Sequence, residues 1–183
     1  EFDNVFKKDN LLKNAIFDKF SEDLDSSLTE DYRSFETSTS LNYSVSIPGY
    51  SKEIHVDRRE HLINILLYVS ESSDSANLEL WKEKSERDFC DVFPSSEDLV
   101  LSKRYSPKKN TAVIMINFPW AYHAVDEQKQ DFLNRKYIYV VFDFEKTARD
   151  DEKHDSNDSL IWKKKVLVSN EERRQNFLYL KKN

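Results

Sequence analysis

Gly49 is the only glycine among 183 residues, where an average soluble chain carries roughly 7%. That scarcity removes a set of folds at once. A dinucleotide-binding fingerprint and a Walker A loop each need several glycines, because their backbones approach a phosphate closely and take positive φ at fixed offsets. Neither can be written with this chain, and a serine elbow flanked by glycines is absent for the same reason. Turns must be built from Asn, Asp, Ser and the four prolines, each of which bends a chain without glycine.

Between those turns the pattern is that of strands. Leu41, Tyr43, Val45 and Ile47 alternate with Asn42, Ser44 and Ser46, the two-residue repeat of a strand with one covered face. Pro48-Gly49 closes it as a turn. Residues 52 to 57 read as a short strand carrying His55 and Asp57, and further strand segments follow at Leu62 to Val69, Leu78 to Trp81 and Leu99 to Leu101, then at Ala112 to Phe118 and Tyr122 to Val125. The strongest strand signal is Arg135 to Phe144, rich in Tyr, Ile, Val and Phe.

Residues 9 to 20 place Leu12, Ala15, Ile16 and Phe20 at helical spacing and predict a helix lying over a sheet. Ser21 to Ser40 is polar and reads as a loop with at most one helical turn. Residues 82 to 96 and Glu145 to Ser159 are charged excursions. Leu160 to Val168 is a candidate last strand, and Ser169-Asn170-Glu171-Glu172 a capping box for a terminal helix. Seven to nine short strands with one or two helices favour a mainly β sandwich or open barrel over a strand-helix alternation.

The length fits one domain over residues 1 to 183, able to bury about 70% of its unfolded surface. Glu1 in first place fits a chain boundary or a processing site. Glu1 to Asn10 is too charged for the core of a signal peptide, and no run approaches a membrane span. Cys90 is the only cysteine, which excludes an internal disulfide and fits a reducing, cytoplasmic setting. It reads as a small buried hydrophobe or an inert loop thiol. The net charge of −6 supports solubility and gives no global pull toward nucleic acid or membrane.

The chemistry-bearing residues are His55, Asp57 and His123. Two positions apart on a strand, His55 and Asp57 share a face and can hold one metal together. With His123 the set becomes two imidazoles and one carboxylate, the facial triad of non-haem Fe(II) oxygenases. His61 precedes an apolar strand without a matching partner and reads as surface or structural. His154 sits among acids and reads as solvent-facing.

Around these residues the chain resembles the iron(II)/2-oxoglutarate-dependent dioxygenases, in particular their compact prolyl-hydroxylase-like branch. The resemblance is carried by Gly49-Tyr50 leading to His55-Val56-Asp57, by Leu66-Leu67-Tyr68-Val69, and by Asn110 to Asn117. It continues through Ala121-Tyr122-His123-Ala124-Val125 and Arg135-Lys136-Tyr137-Ile138-Tyr139-Val140. It spans roughly residues 41 to 144. Many members carry Gly-Gly before the Leu-x-Leu strand and a small hydroxyl residue two positions after the arginine; here those places hold Ala76-Asn77 and Tyr137.

The resemblance implies a double-stranded β-helix (jelly roll) with flanking helices, and Fe(II) and 2-oxoglutarate as cofactors. It implies His55, Asp57 and His123 as metal ligands and Arg135 as the partner of the distal 2-oxoglutarate carboxylate, which a planar guanidinium fork suits. Tyr50 and Tyr137 are further candidates for that cosubstrate; by the same resemblance one of Tyr43, Tyr50 and Tyr68 hydrogen-bonds it, core packing being the better reading of Tyr68. Arg58, Trp120 and Tyr122 are candidates for contact with substrate. The expected activity is hydroxylation of a small molecule with O2 as cosubstrate. A noncatalytic jelly-roll binding module and a cupin-like metalloenzyme without 2-oxoglutarate remain open as alternatives.

Overall fold

The structure is a computed structural model that describes residues 11–58, 61–70, 75–86, 89–91, 93–129, 135–144 and 166–168. Two four-stranded antiparallel sheets dominate it. The first has the order β1 (Thr37–Val45), β9 (Lys136–Phe144), β3 (His61–Tyr68), β7 (Thr111–Ile116), and the second β2 (Lys52–His55), β8 (His123–Val125), β4 (Leu78–Glu83), β6 (Leu99–Tyr105). Every neighbour in both sheets comes from a distant part of the sequence. This interleaving is the double-stranded β-helix expected from the sequence.

β9 shows why the longest strand reads as nearly continuous apolar sequence: it is buried on both faces. Ile138, Val140, Phe142 and Phe144 belong to the larger hydrophobic core, together with Ile16, Phe17, Leu24 and Leu28 of the helical layer. The intervening residues Tyr137, Tyr139, Val141 and Asp143 line a cavity between the sheets. Phe142 has no exposed surface; side chains of this size contribute about 1.5–3 kcal/mol each on full burial.

The helical layer differs from the sequence reading. The first helix is Leu11–Lys19, and a second, Ser21–Ser27, stands where a polar loop was expected. The first helix buries Lys13, Ile16 and Phe17, while Leu12 is 42% exposed and Ala15 faces solvent. Lys13 turns inward because its ammonium finds the Thr37 hydroxyl at 2.6 Å and lies over the Phe17 and Phe142 rings. A lysine stem packs as a hydrophobe when its head has such partners. Periodicity alone counts it as polar.

The alternation in β1 is likewise only half covered. Leu41 packs on the core, but Tyr43, Val45 and Ile47 are 60%, 44% and 62% exposed. The opposite face, with Ser40 and Asn42, lines the cavity. A cavity bearing charged groups accepts Ser and Asn, so apolar and polar faces exchange their usual places.

Further strand calls shift at their ends. β6 runs seven residues, longer than expected, and the short strand β5 (Phe89–Asp91) lies within the charged excursion, paired parallel with β10 (Val166–Val168). The proposed terminal capping box and His154 lie outside the described residues. No helix among the described residues is long and apolar enough to cross a membrane.

Two turns connect directly to the site. At Ile47-Pro48-Gly49-Tyr50 the Tyr50 amide bonds the Ile47 carbonyl at 3.0 Å and Gly49 has φ 82°. Proline second and a positive-φ glycine third is the type II arrangement. The other turn precedes β4, where Ala76 is fully buried with φ 54° and Asn77 grips the Asp126 carboxylate through its amide N and Nδ2 at 2.6 and 2.8 Å. An alanine in that region is strained by about 1–2 kcal/mol. Ala76→Gly is therefore expected to stabilise the protein by about 0.5–1 kcal/mol, the strain relief less the added freedom of the unfolded chain. The check is the urea or thermal midpoint; a lower midpoint would show that the alanine methyl contributes more by packing than its backbone costs.

Candidate metal centre

His55 and His123 face each other across the antiparallel pair β2–β8, directly opposite in register. Their rings lie 4.3 Å apart between centroids, and both are buried, at 3% and 6% exposure. Directly opposed side chains are the closest neighbours a sheet offers. Asp57 was expected on the same strand, but β2 ends at His55. Asp57 instead leaves the sheet edge and is held from the other sheet, by Asn64 Nδ2 at 2.7 Å and by the Tyr139 hydroxyl at 3.3 Å, both to Oδ2. The three side chains still converge, with one ligand atom from each within 4.8 Å of the others.

The hydrogen bonds around the imidazoles define which nitrogen is available. His55 Nδ1 lies 2.7 Å from the Glu53 carbonyl, and His123 Nδ1 lies 2.9 Å from the Ala121 carbonyl. A carbonyl can only accept, so each Nδ1 carries a proton and it is each Nε2 that turns toward Asp57, to share a proton or a cation with it. Those nitrogens stand 3.5 and 3.3 Å from the Asp57 carboxylate, and His55 Nε2 is buried without a hydrogen-bond partner. Burial works against ionisation of Asp57, but hydrogen bonding to His123 and His55 and the charges of His123 and Lys52 outweigh it and hold the carboxyl well below its usual range. Lone pairs converging on a carboxylate repel unless a proton or a cation lies between them. The donor set fits a divalent metal, and the backbone carbonyls supply the outer contacts that orient ligating histidines.

The triad lines a cavity of about 920 Å³ shared with Tyr50, Arg58, Arg135, Tyr137 and Tyr139. Arg135 is 1% exposed. Its guanidinium donates to the Tyr68 hydroxyl at 3.2 Å and lies 5.1 and 4.4 Å from the Tyr68 and Tyr137 ring centroids. Its Nε has no partner, and among the described residues no carboxylate pairs with it. A buried cation without a counter-ion is costly, and aromatic faces offset only part of that cost. Tyr50 is partly buried, and burial pushes its phenol pKa up; burial does the same to Tyr139, with the Asp57 charge adding to it, so both phenols remain donors.

Several assignments change. Tyr68 is more than core packing, since its hydroxyl meets Arg135. His61 has a partner in Asp143, on the adjacent strand, and lines the cavity. Tyr122 does not face the cavity. It lies in a separate cluster with Val56 and Leu99, with its hydroxyl 3.4 Å from Glu83 Oε1. Trp120 packs against that cluster and stacks on Phe118 at 5.0 Å. Tyr122, next to His123 along the chain, falls on the opposite side from its buried ring, and Trp120 belongs to the turn before β8. Asn64 and Tyr139 were not singled out from the sequence. Their only available signal was parity, since each shares a strand face with a cavity residue.

No family profile and no curated protein matches this sequence. Solved structures similar to it include a prolyl-4-hydroxylase from Pseudomonas putida, at 14% identity and a TM-score of 0.43, covering 70% of this chain and 62% of that one. A prolyl 4-hydroxylase from Phytophthora capsici matches at 17% identity and a TM-score of 0.41, covering 74% of this chain and 43% of that one. An oxidoreductase of the 2OG-Fe(II) oxygenase family from Burkholderia pseudomallei matches at 9% identity and a TM-score of 0.39, covering 60% and 46%. The chain thus spans less than two thirds of the length of each of these three proteins. Its fold is defined by the strand order and registers given above.

Proposed function

We propose that this chain is an Fe(II)- and 2-oxoglutarate-dependent oxygenase that hydroxylates a small molecule, with O2 as cosubstrate. One observation carries the reading: a buried guanidinium with no carboxylate partner among the described residues shares a cavity with two imidazole Nε2 atoms and a carboxylate. A dicarboxylic 2-oxo acid supplies what both ends lack, a counter-ion for Arg135 and oxygen donors for a metal at the triad.

In this reading His55, Asp57 and His123 would hold the metal, two imidazoles and one carboxylate being a donor set that suits Fe(II). Bound Fe(II), with 2-oxoglutarate and O2, supplies the oxidising power that inserts one oxygen atom into a substrate C–H bond while the 2-oxo acid becomes succinate and CO2. The chain's residues do positional work. Asn64 and Tyr139 fix the Asp57 carboxylate, and the Glu53 and Ala121 carbonyls fix the imidazoles. Arg135 takes the distal carboxylate with Tyr68 as a second donor, Tyr50 and Tyr137 flank it, and Leu66, Leu78 and Val125 exclude water from the wall. Arg58, exposed and lining the cavity, is the candidate for contact with substrate.

The test is a succinate assay with Fe(II), 2-oxoglutarate, O2 and a reductant across a metabolite library, with His123→Ala as control. The expected result is succinate formation stimulated by one compound, accompanied by a gain of one oxygen atom in that compound and absent in the variant. Equal succinate from both proteins removes the iron-centred reading. Binding of iron and 2-oxoglutarate without any turnover would make the chain a noncatalytic jelly-roll binding module.

A further inference from the structure

The cavity is polarised along β9. Arg135, Tyr137, Tyr139, Val141 and Asp143 all line it, and Tyr139 is the one that touches Asp57. At a rise of about 3.3 Å per residue, Arg135 and Asp143 lie roughly 13 Å of strand to either side of Tyr139. One strand face therefore presents a cation at one end, a carboxylate at the other and the triad between them.

Asp143 is, with Asp57, one of the two carboxylates among the residues described as lining this cavity. It is held from both neighbouring strands. His61 Nδ1 on β3 lies 2.5 Å from Oδ1, and Ser40 Oγ on β1 lies 3.5 Å from Oδ2, with the Asp143 side chain 20% exposed. The second contact is at the outer limit for a hydroxyl donor, so Oδ2 keeps acceptor capacity. Neither His61, Ser40 nor Asp143 takes part in holding the metal or the 2-oxo acid. A carboxylate fixed in this way loses little freedom when a ligand binds.

We propose that Asp143, positioned by His61 and Ser40, is the recognition carboxylate of this cavity and selects a small molecule bearing a protonated amine. The inference rests on the oxygenase reading only in calling that molecule the substrate. An ammonium donates a charge-assisted hydrogen bond, roughly twice as strong as a neutral one. Like charge turns carboxylates away from the same place, which directs a dicarboxylic acid toward Arg135 and fixes the order of ligands along the cavity.

The test uses the full chain without metal, three six-carbon probes that differ only in the head group (n-hexylamine, n-hexanol and hexanoate), and NMR of the histidine side chains. The His61 signal is assigned by its loss in His61→Gln. The expected result is that hexylamine shifts the His61 signal at a concentration about tenfold lower than any at which hexanoate does, as a charge-assisted contact requires, and that Asp143→Asn removes this preference. Hexanoate shifting the His61 signal as readily as hexylamine overturns the proposal, since a carboxylate held at Arg135 leaves that signal unmoved. So does an amine preference that leaves the His61 signal unmoved or that survives in Asp143→Asn. Should the variant not fold, the wild-type comparison decides alone. Fe(II) titration of the same samples separates the two readings: lost iron binding with intact amine selection removes the oxygenase reading only, and the reverse removes the Asp143 site only.

Discussion

Asp57→Ala is expected to abolish measurable Fe(II) binding while leaving the fold standing. The expectation follows from where the three donors sit. His55 and His123 form one cross-strand pair of a sheet, and two imidazoles alone would hold an ion weakly without the carboxylate. Removing an outer contact of a metal ligand costs about 10–100-fold in affinity, and losing the ligand itself exceeds that. The fold pays less: Asn64 and Tyr139 each lose an acceptor, at about 1–3 kcal/mol for a buried group left unsatisfied, while the crowding of Asp57 against two imidazole nitrogens is relieved. Anaerobic calorimetry with a parallel thermal melt measures both. Iron affinity equal to that of the unaltered protein would remove Asp57 from the ligand set.

Arg135→Leu should separate stability from function. If the guanidinium anchors the distal carboxylate of 2-oxoglutarate, its loss weakens that binding by about 2–5 kcal/mol, the range for truncating one partner of a buried charge pair. Iron affinity should persist, since Arg135 touches none of the ligands. The ligand-free protein should gain stability, because a buried cation with no carboxylate partner among the described residues is replaced by a side chain that needs none. Two opposite signs in one variant are hard to obtain from general damage. Unchanged 2-oxoglutarate affinity would show that Arg135 serves another purpose.

The sequence made the strands legible because burial on two faces leaves dense apolar runs such as Tyr137 to Phe144, and because turns such as Pro48-Gly49 follow from φ preferences alone. It made the cluster His55, Asp57, His123 legible through residue type and order. What it could not show were contacts set by tertiary packing. Lys13 reads as solvated until the Thr37 hydroxyl is brought to it, and Tyr68 reads as core until Arg135 arrives from 67 residues away. Trp120 and Tyr122 were assigned to the site by closeness to His123 along the chain, which in a strand is poor evidence of closeness in space. The Ser21–Ser27 helix was missed because Leu24 and Leu28, though four residues apart as a helix face requires, are too few in a polar stretch to establish a period.

The direct opposition of His55 and His123 has a consequence for how this chain can change over time. β2 carries a register irregularity between Lys52 and His55, and strand side chains alternate faces with a period of two. Insertion or deletion of a single residue in that short stretch would swing His55 to the outer face while leaving the hydrophobic core untouched. The protein would still fold and would no longer chelate. Length variation is therefore tolerated in the excursions between strands and forbidden in these few residues, so the metal centre constrains the spacing of the chain more tightly than the core does.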